Sequence, residues 1–209
     1  MKNKPFLIGI CGGSGSGKTT LLKQIRQKFS ETELCIISQD DYYRPREEQI
    51  TDSEGVQNFD LPKSIDKKVF AQDIQKLMRF ESVEKLEYTF NNEKASPKIL
   101  TFCPAPIIIV EGIFIFHFKK ISSLLDLKIY LNAKENLKVI RRIKRDQIER
   151  NYPIEDVLYR YQNHVLPTFE KYIEPYREQA DIVINNNQDF RRGCEVLEGF
   201  MKNLLQTNT

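Results

Sequence analysis

Phe6-Leu7-Ile8-Gly9-Ile10-Cys11-Gly12-Gly13-Ser14-Gly15-Ser16-Gly17-Lys18-Thr19-Thr20-Leu21-Leu22-Lys23-Gln24-Ile25-Arg26 is the stretch that decides the fold. It opens with an apolar run and closes with apolar residues at helical spacing. Between them lies G-x-x-x-x-G-K-[ST], matched in full by Gly12–Thr19. A strand, a glycine loop and a helix in this order predict a phosphate-binding site. Glycine lets backbone N–H groups curl around phosphate oxygens where a Cβ would obstruct them. The new helix aims its positive end at the same anion. The candidate residues for the phosphates of ATP are therefore Gly12, Gly13, Ser14, Gly15, Ser16, Gly17, Lys18, Thr19 and Thr20. Lys18 is expected to reach the β- and γ-phosphates, and the Thr19 hydroxyl to ligate Mg²⁺.

Outward from the loop, apolar runs alternate with helical patterns. Residues 33–38, 106–111, 127–131 and 181–185 read as further strands, the second of them apolar on both faces like a central parallel strand. Helical spacing covers about 18–29, 67–80, 134–149, 154–178 and 189–206. The alternation predicts an α/β fold, a doubly wound parallel sheet of about five strands. Two shorter β-like pieces, 85–90 and 98–103, predict a small inserted β-hairpin at about 84–104. With no repeat or linker, the 209 residues read as one domain.

Composition narrows the class. The 32 basic and 29 acidic residues leave a net charge of +3, too small to argue for nucleic acid. No apolar stretch approaches 18 residues and no signal peptide precedes the first strand, so neither membrane nor secretion is expected, and the cytoplasm is. Cys11, Cys35, Cys103 and Cys194 are far apart, without a C-x-x-C pair, and read as reduced thiols that are mostly buried.

Ligands of open α/β sheets collect at the carboxyl ends of the strands. Two acids fall there, Asp40 after the second strand and Glu111 at the end of the central one. Phosphoryl transfer needs a carboxylate beside the acceptor hydroxyl and oxygen ligands for Mg²⁺. Asp40 suits the first task and can also touch the metal; Glu111 suits the second. Turn, cap and helix-dipole roles are the alternatives for these acids. Residues 136–150 carry six basic side chains. Arg142 and Arg145 share a helix face, and Arg150 lies near its end. They read as a lid over about 134–155, or else as a solvated face. His117 and His164 have no acid at triad or metal spacing, so packing or surface roles are expected. Phe114, Phe116 and Phe118 read as core or subunit-contact residues.

Five segments in register resemble the uridine (uridine–cytidine) kinase family, a group of P-loop NTPase folds. They are the glycine loop, Ile37-Ser38-Gln39-Asp40-Asp41-Tyr42-Tyr43-Arg44, Asn58-Phe59-Asp60-Leu61-Pro62, Val110-Glu111-Gly112-Ile113 and Arg141-Arg142-Ile143-Lys144-Arg145-Asp146. The resemblance implies transfer of the γ-phosphate of ATP or GTP to a nucleoside 5′-hydroxyl, as in pyrimidine salvage. It implies Asp40 as general base and metal-shell group, Tyr43 in the acceptor pocket, Asp60 on the ribose hydroxyls and Tyr88 on the base. Arg142 falls on the acceptor side, Arg145 and Arg150 on the donor phosphates, and Thr19 and Glu111 in the Mg²⁺ shell. The family is usually a homotetramer. Two positions depart from its pattern. Glu93 stands where a histidine meets the pyrimidine, and Glu149-Arg150-Asn151-Tyr152 replaces E-R-G-R. An ionised carboxylate only accepts hydrogen bonds, so Glu93 disfavours the uracil O4 and suits an exocyclic amine. With Glu93 on the base, cytidine or a riboside outside the pyrimidines is the expected acceptor; with the hairpin register shifted by one or two residues, or Glu93 facing solvent, uridine stays. Ser38-Gln39-Asp40-Asp41 also resembles the nicotinamide riboside kinases. A GTPase switch would need an N-K-x-D motif, which is missing. A nucleotide-binding regulator without acceptor chemistry would not need Lys18, Thr19, Asp40 and Glu111.

Overall fold

Each apolar run read as a strand is one. The computed structural model of the chain describes residues 4–89, 96–150 and 152–207, and the side chains of 149 and 150 lie outside that description. In chain order the elements are β1 (Phe6–Cys11), α1 (Lys18–Arg26), β2 (Leu34–Ser38), β3 (Ile50–Thr51), β4 (Gln57–Asn58), α2 (Lys67–Met78), β5 (Val83–Leu86), β6 (Ile99–Phe102), β7 (Ile107–Glu111), α3 (Lys119–Ser122), β8 (Leu127–Asn132), α4 (Glu135–Arg150), α5 (Ile154–Arg160), α6 (Leu166–Tyr172), β9 (Ile182–Asn185) and α7 (Arg191–Thr207).

Five strands form one parallel sheet in the order β2-β7-β1-β8-β9. All residues of β7 are buried, as the unbroken apolar run Ile107–Val110 requires of a strand covered on both faces. Its side chains alternate between two cores. Ile108 and Val110 join Leu7, Ile37, Phe70 and Ile74, while Ile107 and Ile109 join Ile8, Leu21, Ile25 and Met201. Truncating one such isoleucine to alanine costs about 2–5 kcal/mol. Phe114, Phe116 and Phe118 are buried in the first core.

Parallel pairing fixes where the site can form. Ser38 lies opposite Glu111, and Ile10 lies opposite Glu111 on the other side. The carboxyl ends of β2, β7 and β1 therefore adjoin, spaced by about 4.8 Å per strand. The inserted hairpin is β5–β6, in antiparallel register from Val83↔Phe102 to Leu86↔Ile99.

Two features differ from the sequence expectation. A small second hairpin, β3–β4, lies before Asp60. The helix expected over 154–178 is broken into α5, a π turn over Tyr161–Val165, α6 and a 3₁₀ segment over Glu174–Gln179. Pro167 has no N–H for the carbonyl of Asn163, and its ring crowds that carbonyl, so a regular α ladder cannot pass. Pro175 sits in the first turn of the 3₁₀ segment, where a missing N–H costs nothing.

Candidate active site

The loop Gly12–Gly17 runs from β1 into α1 in backbone conformations that side chains disfavour. Gly15 has φ +79° and Gly17, the residue capping α1, has φ +103°. A Cβ on Gly15 would stand 2.5 Å from the Lys138 carbonyl oxygen, and one on Gly17 would collide with the Asn186 side chain. Lys18, Thr19 and Thr20 form the first turn of α1. Lys18 is buried. Its Nζ donates to the carbonyls of Gly12 (2.9 Å) and Gly13 (3.3 Å) and lies 3.8 Å from Glu111 Oε1. Thr19 and Thr20 are exposed.

Of the two carboxylates expected at the strand ends, Glu111 lies against this lysine, and Asp40 follows β2 beside it. Glu111 is buried, and its Oε2 accepts from the Ser38 hydroxyl at 2.8 Å. The same hydroxyl accepts from the Asp40 N–H at 3.2 Å, so one serine links both acids. Gln39 is buried between them, its Oε1 accepting from the Phe114 N–H at 2.9 Å. Burial pushes the Glu111 carboxyl up to about 7, helped by the charges of Asp40 and Asp41 and opposed by Lys18 and the Ser38 hydroxyl. Burial, with the Asp40 charge next, raises Asp41 to about 6. A buried carboxylate with two more acids near it invites a cation. The Thr19 hydroxyl and the carboxylates of Asp40 and Glu111 are hard oxygen donors that fit Mg²⁺. Among the described residues no group of three His, Cys, Asp or Glu side chains forms a metal cage.

On the other side of the loop, Arg142 of α4 is buried. One of its nitrogens, Nη1, donates to Ser14 Oγ at 3.1 Å and lies 3.5 Å from Asp60 Oδ1, while Nε is 3.2 Å from Asp146 Oδ2. A single guanidinium thus joins the phosphate loop to the candidate ribose acid. Desolvation opposes its charge, and Asp60 and Asp146 more than offset this, so its pKa is raised. Asp60 is fixed by its own N–H donating to Asn58 Oδ1 at 2.9 Å. Tyr43 stacks on Tyr88, centroids 5.2 Å apart, and meets Phe59 at 6.4 Å. Tyr88, Tyr43 and Phe59 thus form one aromatic group next to Asp60, which Arg142 ties to the loop at Ser14. Arg145 holds Asp146 at 2.9 Å. Glu93 and the side chain of Arg150 lie outside the described residues. Tyr152 donates its N–H to the Asp146 carbonyl, and its ring lies 5.9 Å from the Arg160 guanidinium.

Three residues beside the loop, Lys138, Arg141 and Asn186, escape a reading of the sequence. Arg141 donates to the carbonyls of Gly15 (3.4 Å) and Asn186 (3.0 Å), and Asn186 donates to the Ser16 carbonyl at 2.8 Å. Lys138 is buried, its ammonium 3.5 Å from the centre of the Phe169 ring and paired with Glu135. Desolvation lowers the Lys138 pKa. Lys138, Arg142 and Arg145 share a face at i, i+4, i+7 spacing, which is the signal available for Lys138; Asn186, far along the chain, gives none. A polar cleft of about 520 Å³ opens next to Asn186, its lining including Lys134, Asn136, Asn185, Asn187 and Gln188. An apolar cleft between β9 and α7 contains none of the groups named for the chemistry.

A parallel sheet whose first strand feeds a glycine loop and helix, with acids at the neighbouring strand ends, defines a P-loop kinase fold. The chain belongs to the phosphoribulokinase/uridine kinase family, whose model matches residues 7–191. It is 36% identical over 203 residues to a uridine kinase of Borrelia duttonii (strain Ly), covering 97% of each chain. It is 33% identical over 207 residues to a uridine kinase of Bacillus pumilus (strain SAFR-032), covering 99% of each. A solved structure described as a possible uridine kinase from Bacillus stearothermophilus shares the fold, with TM-score 0.62, 19% identity, and 88% of this chain and 90% of that one covered. No described helix is long and apolar enough to cross a membrane.

Proposed function

We propose that this chain moves the γ-phosphoryl group of ATP or GTP to the 5′-hydroxyl of a nucleoside, uridine or cytidine first, as a cytoplasmic pyrimidine-salvage kinase. The observation that carries the reading is Arg142, whose one nitrogen reaches both Ser14 of the phosphate loop and Asp60. An acid suited to a ribose diol stands one side chain away from the donor cradle. Asp40 accepts the 5′-hydroxyl proton, while Lys18 and the loop N–H groups hold the charge of the transferring phosphoryl group. Arg145 and Arg150 complete the screening from α4. Thr19, Asp40 and Glu111 would hold Mg²⁺, which neutralises charge on the β- and γ-oxygens when bound. The amide-lined cleft at Asn185–Gln188 suits the donor base, having both donors and acceptors to offer. A homo-oligomer, tetrameric in the family it resembles, is the assembly expected.

A second reading favours a riboside outside the pyrimidines. Its support is the acids beside Tyr88, where Asp41 senses the charge of Asp40 and, offset by Lys85, that of Glu87, and takes a hydrogen bond from the Tyr88 backbone. These acids favour an amine-bearing or cationic base. Mass-spectrometric identification of the products from a mixed nucleoside pool with ATP separates the readings. Uridine and cytidine monophosphates are expected; preferential phosphorylation of another riboside favours the second reading, and free phosphate alone contradicts both.

A further inference from the structure

His164, expected to have no acidic partner, has one across the fold. Its Nε2 lies 2.7 Å from Oδ2 of Asp52, 112 positions away in the chain. The imidazole is almost wholly enclosed, at 1% exposure, and its Nδ1 finds no partner among the described residues. Tyr159 donates its hydroxyl to the same carboxylate oxygen at 2.8 Å. The other oxygen of Asp52 is occupied locally, accepting from the N–H groups of Glu54 (3.0 Å) and Val56 (2.8 Å) and so shaping the turn of β3–β4. A third tie runs from Arg160 to the Gln57 carbonyl at 2.9 Å. Burial works against ionisation of Asp52, but the Val56, His164, Tyr159 and Glu54 hydrogen bonds outweigh it and hold the carboxyl down at about 2.

The backbone break described above makes this convergence possible. In an α-helix each residue turns about 100°, so Tyr159 and His164, five apart, would point about 140° away from each other. A π turn, closing i→i+5, rotates each of its residues by less than an α-helix does and so narrows that angle. It spans Tyr161–Val165 here, and the two rings meet edge-on with centroids 5.8 Å apart.

The two partners of this contact belong to opposite halves of the site. β3–β4 leads directly into Asn58 and Asp60, and Asn58 also fixes the Asp60 N–H. The helical arm beyond His164 carries Phe169, whose ring packs against Gly13 of the phosphate loop and beneath the Lys138 ammonium. Ser14, Asp60, Tyr161 and Phe169 line one narrow cleft. We infer that His164 is a positioning residue: with Tyr159 it straps the Asp60 hairpin to the arm that abuts the phosphate loop, and so sets the acceptor acid at a fixed distance from the donor. This inference rests on the kinase reading for its kinetic arm only.

The test uses the full-length protein and His164→Phe, which keeps a ring of similar shape and removes the donor. The Michaelis constant for the acceptor nucleoside is expected to rise about tenfold, the factor for a lost hydrogen bond to a charged group. The Michaelis constant for ATP and kcat should stay within about twofold. Amide hydrogen exchange over 50–60 should accelerate, with the melting temperature little changed. His164→Gln, which restores an N–H donor, should recover most of both effects. Tyr159→Phe, at a half-exposed position, should move the same observables less and serves where the first variant fails to fold. Equal shifts in both Michaelis constants, or unchanged exchange over 50–60, would overturn the strap. Accelerated exchange in a protein that phosphorylates no riboside would uphold the strap and reject the kinase reading.

Discussion

Arg142 is the residue on which the two halves of the site meet. It is buried, spans Ser14 and Asp60, and also compensates Asp146. Arg142→Ala leaves the partly buried Asp60 carboxylate without its counter-charge, while Asp146 keeps Arg145, a loss of about 3–5 kcal/mol. Urea unfolding should register it, and kcat/KM for the acceptor should fall by about 10²–10³. Arg142→Lys is not conservative here, because an ammonium cannot span the same atoms as a planar fork. Glu111 gives a prediction in pH. Its carboxyl sits at about 7 in the folded, metal-free chain, against an ordinary value of 4.5. Between those values the folded state binds more protons than the unfolded one, so stability falls as pH rises from about 4.5 to about 7. Denaturant titrations without metal should show that slope, and Glu111→Gln should reduce it to the part that Asp41 contributes between about 3.8 and about 6.

At the scale of elements, the strand–loop–helix unit carries the most local information. Gly15 combines φ +79° with the nearby Lys138 carbonyl, so Gly15→Ala faces both backbone strain and a clash. Loss of the nucleotide-induced rise in melting temperature is the expected outcome, readable by thermal shift with and without MgATP. This unit was legible in the sequence because its signal is confined to neighbours: an apolar run, a glycine motif, helical spacing. The five sheet strands were legible for the same reason, each being four or more residues of unbroken or alternating apolar character. β3 and β4 were not, since strands of two residues have no period to detect. The π turn was hidden because its residues have helical spacing on either side and only Pro167 hints at the break. The acids Asp40 and Glu111 could be placed from strand ends alone, but the Ser38 link between them, the Asn186 brace and the Asp52–His164 pair join distant positions and depend on tertiary register.

Across the whole molecule, the parallel order β2-β7-β1 gathers the chemistry at one edge while two apolar layers hold the sheet from either face. The sheet is thus a rigid base for a loop, a hairpin and the basic helix α4. A donor nucleotide that binds only the folded state should stabilise all of it together. At a hundredfold excess over its dissociation constant the gain is about 2.7 kcal/mol. For a chain of this size that is a rise of about 5–10 °C in melting temperature, measurable by calorimetry with MgATP, and no rise at saturating nucleotide would contradict a donor site on this sheet edge.

The claim that organises all three scales is that Asp40, at the end of β2, works on an acceptor alcohol beside the phosphate loop. Steady-state turnover of Asp40→Asn, measured on the nucleoside that the wild type phosphorylates and paired with its affinity for MgATP, tests this most directly. Turnover lower by at least about 10², with nucleotide affinity within a few-fold of wild type, is the predicted result. A variant that turns over at nearly the wild-type rate would contradict it.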